Sequence, residues 1–117
     1  MLVNDTKVYN VSWLIQEPEQ ERRILDFLQG MVYAHCAIDP EGWFSVSSLL
    51  GEDNRNWNDI PLQILHDKYI NDGESYEKAF DSARKDAGKL LKKVIRNEPN
   101  RRFENDTGYF NQYRWIR

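Results

Sequence analysis

Residues 75–99 read SYEKAFDSARKDAGKLLKKVIRNEP, and the fold follows from how this stretch is read. Serine at 75 is a favoured helix N-cap, and Pro99 sets a stop just past Asn97. At 100° per residue, Tyr76, Ala79, Phe80, Ala83, Ala87, Leu90, Leu91 and Val94 share one broad arc. Lys78, Lys85, Lys89, Lys92 and Arg96 lie opposite, with Lys93 beside them. The stretch is therefore a long amphipathic helix with an apolar side and a basic side. Ala83, Ala87 and Gly88 would let it sit close to a neighbour.

Downstream, residues 101–104 and 109–117 are β-prone and aromatic, and the turn cluster Asn105-Asp106-Thr107-Gly108 separates them. That pattern predicts a hairpin. Upstream, Pro18 with Glu19 and Glu21 opens a helix over about residues 19–36, with Ile24, Leu28, Met31, Val32 and His35 at helical spacing. Gly30 inside it is a mild cost and a place for close packing. Asp39-Pro40-Glu41-Gly42 is a turn, Trp43-Phe44-Ser45-Val46 a short strand, and residues 47–51 a helical turn closed by glycine. Residues 52–58 are a polar loop. Asp59 can then cap a second helix with Pro61 in its first turn and Leu62, Leu65, His66 and Tyr69 on one face, ended by Gly73. Residues 1–18 form an arm or strand, with Val11, Trp13 and Ile15 on one alternating face.

The chain has 117 residues, 40% of them hydrophobic, with four Trp, six Tyr and five Phe, which suffices for one core. No apolar run approaches the ~20 residues of a membrane helix, so no membrane role is expected. The first residues lack the features of a signal peptide, and the lone Cys36 suits a reducing compartment. A cytoplasmic protein is the expectation. The net charge of −3 conceals a split. Residues 1–74 hold 5 Lys/Arg against 13 Asp/Glu, and residues 75–117 hold 11 against 6. Such a split marks either a face that meets an anion or two halves that attract each other.

The order of elements is helix, short strand, helix, tight turn, long helix, hairpin. It resembles the winged-helix variant of the helix-turn-helix, over about residues 19–117. The resemblance implies an α+β, mainly helical domain with three main helices, a short strand and a C-terminal hairpin wing. It also implies that the third helix, residues 75–97, enters the major groove while the wing, residues 101–117, touches backbone or minor groove. Two features depart from the pattern. Residues 52–58 are inserted before the second helix, and the N-terminal part of the third helix, where bases are normally read, holds Glu77 and Asp81. Backbone contact is thus easier to argue than base readout.

The candidate nucleic-acid set is Lys78, Lys85, Lys89, Lys92, Lys93, Arg96, Arg101, Arg102, Arg114 and Arg117, whose cations would displace counterions from a duplex. The alternative is a solvated helix face whose cations complement the helix dipole. Tyr109, Tyr113 and Trp115 could stack on bases or close the core. Trp57, with Arg55 beside it in a polar loop, is either an exposed partner anchor or a core plug. Trp13 reads as a core anchor in preference to a ligand contact. His35, Cys36 and His66 have no metal-ligand spacing, and Ser45, Ser47 and Ser48 have no nucleophile context. No cofactor, metal or enzymatic activity is expected.

The sequence therefore points to a small DNA-binding regulator or accessory factor that grips the backbone of double-stranded DNA. The alternative is a protein-interaction module on the same scaffold, such as a phage- or plasmid-encoded inhibitor or adaptor of a larger complex. A homodimer through the N-terminal segment fits either reading.

Overall fold

The computed structural model describes residues 1–3, 9–106 and 111–117. The protein is α+β and mainly helical. Its elements are a 3-10 turn at Ser12–Gln16, α1 at Pro18–Ile38, α2 at Val46–Leu50, α3 at Gln63–Asn71, α4 at Tyr76–Asn97, and the antiparallel strands β1 at Arg102–Asp106 and β2 at Gln112–Ile116. Among the described residues no helix is long and apolar enough to cross a membrane.

Helix α4 forms as its sequence dictates. The Ser75 hydroxyl accepts from the Lys78 backbone N–H, and the helix ends at Asn97, before Pro99. Ala79, Phe80, Ala83, Ala87, Leu90, Leu91, Val94 and Ile95 are buried, and α1, α2 and α3 pack around that face. A β-carbon on Gly88 or Gly30 would meet nothing within 4 Å, so neither glycine serves a close approach. Ala83 and Ala87, both fully buried, do.

Helix α1 starts at Pro18 and runs to Ile38, two residues past the expected end. Ser45 caps α2 through a reciprocal box with Ser48. Gly51, at φ 91°, then turns the chain in a conformation that side chains resist. The short strand expected at residues 43–46 shrinks to a single bridge, where Phe44 and Tyr113 exchange backbone hydrogen bonds of 2.8 Å. Helix α3 begins at Gln63, and Asp59 does not cap it. Asp59 sits at φ 69°, and its backbone N–H donates to the Gln63 side chain at 3.2 Å. Gly73, at φ 93°, follows the end of α3 as the sequence suggests.

The arm differs most from the alternating strand. Residues 12–16 form a 3-10 turn in which the Leu14 N–H donates to the Val11 carbonyl. A three-residue period puts Val11 and Leu14 on the core side and leaves Ile15 63% exposed. Before it, Leu2 bridges Phe103 in parallel, so residues 1–3 flank β1 while Phe44 flanks β2. In the hairpin, Asn105 and Asp106 belong to β1 and pair with Tyr113 and Gln112, although the sequence suggested a turn there. The rest of that turn, Thr107 and Gly108, lies outside the described residues.

Candidate nucleic-acid interface

The basic side of α4 takes its geometry from the helix. Lys78, Lys85, Lys89, Lys92 and Arg96 fall within about 60° of one another around the axis and span about 27 Å along it. Lys78, Lys85, Lys89 and Arg96 are exposed, and Lys92 and Lys93 are half-buried. Lys85 and Lys89 make no ion pair among the described residues. Lys93 does, reaching Glu21 of α1 at 2.7 Å.

Of the acids of α4, one is buried and two lie along one flank of the stripe, paired with a residue of another segment. Asp86 is buried, accepting from the Tyr69 hydroxyl at 2.6 Å and the Trp13 indole N–H at 3.3 Å. Burial and that bond to Asp86 push the Tyr69 hydroxyl up to about 12. Glu77 and Asp81 lie 3.6 and 3.7 Å from Arg55. Every carboxylate of the helix thus has a partner off the stripe.

The hairpin tells a different story. Its register places Arg102, Glu104, Asp106, Gln112, Arg114 and Ile116 on one face, where two cations meet two acids. Arg114 is bound to Glu104 directly across the ladder and lies 4.6 Å over the Trp43 ring. Arg101 is wedged between the rings of Tyr33 and Trp115, at 4.8 and 5.2 Å, and pairs with Glu98 at 3.8 Å. Glu98 is buried, which alone would raise its carboxyl. The Asn100 and Arg101 backbone N–H groups, the Tyr33 hydroxyl and the Arg101 guanidinium together hold it below the usual carboxylate range. Arg101 and Arg114 are therefore joints of the fold. Arg102 and Arg117 are exposed, the latter 5.2 Å over Trp115.

The aromatic candidates are also redistributed. Tyr113 is 1% exposed and cannot stack on a base, and burial pushes its hydroxyl up to about 12. Trp115 is half-buried over Arg101, and Tyr109 lies outside the described residues. Trp57 is 3% exposed with its ring 4.6 Å from Phe80. It is the core plug, and the exposed anchor is excluded. Its polar neighbours concealed this from the sequence. Side chains of Asn54 and Asn56 accept from backbone N–H groups two residues on, turning the loop so that Trp57 points inward. Trp13 is half-buried at the edge of an open groove of about 460 Å³, lined with it by Gln16, Glu17, Gln20, Ile64, Asp67, Lys68 and Asn71.

His35 contacts the Gly42 carbonyl at 3.0 Å and His66 the Tyr76 carbonyl at 3.3 Å, each serving the fold. Cys36 is buried, and burial raises its thiol. Among the described residues no His/Cys/Asp/Glu group is arranged to hold a metal. No protein-family model, curated protein or solved structure matches the chain.

Proposed function

We propose that the protein binds the backbone of double-stranded DNA through the outer face of α4, on a winged-helix-like scaffold, as a small regulator or accessory factor. The observation that carries this reading is the stripe itself. Its cations repeat along about 27 Å of one rigid helix, and of the acids of that helix Asp86 is buried while Glu77 and Asp81 face Arg55. Mobile, hydrated lysines on a fixed frame suit phosphates, whose contacts position a protein without reading sequence. The order helix, bridge, helices, hairpin supports the scaffold. The wing contributes Arg102 and Arg117 alone, because Arg101 and Arg114 are engaged within the fold.

Anisotropy titration of a labelled duplex over a salt series tests the proposal. Affinity should fall linearly on a double-logarithmic plot, with a slope of about −0.9 per phosphate contacted. Replacing Lys78, Lys85 and Lys89 together with Ala should flatten that slope by about 3. Absence of binding by the wild type at low salt would sink the reading.

The second reading, a protein-interaction module, draws on the groove beside Trp13 and the exposed Ile15 at its 3-10 turn. Co-purification with a protein that survives nuclease treatment would favour it.

A further inference from the structure

The loop of residues 52–58, which the winged-helix pattern does not account for, is fastened onto the N-terminal half of α4. The Tyr76 hydroxyl donates to the Arg55 carbonyl at 2.6 Å, and the Arg84 guanidinium donates to the carbonyls of Asn54 at 2.9 Å and Glu52 at 3.4 Å. Trp57 plugs the core from the same loop. These anchors present the Arg55 side chain, half exposed, to Glu77 and Asp81.

The charge balance there gives the contact a purpose. In the first turns of α4, Arg84 is engaged by the loop and Asp86 is buried. What remains in solvent is Lys78 and Lys85 against Glu77 and Asp81, which cancel. The stripe would therefore be positive only in its C-terminal half. Arg55 tips the N-terminal half to positive, on the flank where Glu77 and Asp81 lie. Its ion pairs are too exposed to matter much for stability, since such pairs contribute ~0–1 kcal/mol. Their effect falls on whatever approaches the helix.

We infer that Arg55 is a positioning residue for phosphate binding: it neutralises Glu77 and Asp81 so that a DNA backbone can lie along the whole of α4. The inference rests on the backbone-binding reading above. In that setting Arg55 acts through the two carboxylates and does not itself need to touch the duplex.

The test is a cycle of variants on a labelled mixed-sequence duplex at low salt. Arg55→Ala should weaken binding about two- to threefold, the effect of one unit charge about 8 Å from a phosphate in water, with a smaller change in salt slope than the loss of a lysine that contacts a phosphate. Its Tm should change little, because the loop is held by backbone carbonyls and by Trp57, and Arg55 adds only exposed ion pairs and a place 5.8 Å over the Phe80 ring. Adding Glu77→Gln and Asp81→Asn removes two negative charges for the one positive charge lost, so the triple variant should bind at least as tightly as wild type. Wild-type affinity in Arg55→Ala would overturn the assignment, as would a triple variant no tighter than Arg55→Ala. Lys85→Ala with Lys89→Ala is the control. If that variant loses affinity while Arg55→Ala does not, the Arg55 assignment fails alone. If the wild type does not bind, the reading beneath it fails.

Discussion

Helix α4 and the hairpin that follows it are both rich in cations, yet they use them in opposite ways. On α4 the stripe is four lysines and Arg96 at helical spacing, projected from one side of a rod whose other side is core. At the hairpin the cations are arginines, and two of them sit over aromatic rings with a carboxylate at hand. A planar guanidinium stacks and forks where an ammonium stays hydrated. Charge counted along the sequence treats the two sets alike, whereas charge counted in the fold separates a surface from a set of joints.

The sharpest way to break this contrast is to remove one joint. Arg101→Ala should cost about 1–2 kcal/mol, because it removes the guanidinium beside the buried Glu98 carboxylate, which keeps its backbone and Tyr33 donors, and empties the slot between Tyr33 and Trp115. Lys89→Ala should leave stability within about 0.5 kcal/mol. Urea unfolding of the pair decides it, and equal losses would end the distinction.

The same joint carries a pH signature. The Glu98 carboxyl is held below its ordinary value of 4.5, so its contribution is fully present above that pH. It should drain away as pH falls through the lower folded-state value. The loss is about 1.4 kcal/mol for each tenfold difference in proton affinity between the unfolded and the folded chain. Glu98→Gln should be weaker at neutral pH and lack that part of the acid dependence. A urea-midpoint series against pH measures it.

In binding, the contrast predicts different salt slopes. Lys89→Ala should flatten the slope by about 1, while Arg114→Ala, whose charge is already paired with Glu104, should leave it nearly unchanged. The smallest effect belongs to the helix. Gly88→Ala places a methyl where nothing lies within 4 Å and should stabilise α4 by about 0.5–1 kcal/mol, read as a rise in Tm.

How much of this could be read beforehand depends on the range of the interaction concerned. Helix α4 was legible from cap to stop because Ser75, the apolar arc and Pro99 are local signals. The 3-10 turn was not, since Val11, Trp13 and Ile15 alternate plausibly while the residue that fills the core is Leu14. Trp57 was ambiguous because turns made by Asn54 and Asn56 decide which way it faces. The hairpin was legible as a hairpin, but its register was not. Without the pairing of Glu104 with Arg114, the wing arginines look available. The stripe was visible, and the part Arg55 plays beside it was not, because that depends on a loop folding back over about twenty residues.

The pairing of Leu2 with Phe103 carries one more consequence, for the making of the protein. The Phe103 N–H donates to the Met1 carbonyl at 2.7 Å, and the Val3 N–H donates to the Phe103 carbonyl at 2.9 Å. During synthesis the first strand-like residues therefore wait for a partner about a hundred residues behind them, and Phe44 waits for Tyr113. The helices can gather as they emerge, but the sheet edge closes only once the hairpin has been made. Such long-range closure is a slow step, and until it is made both edges stay open.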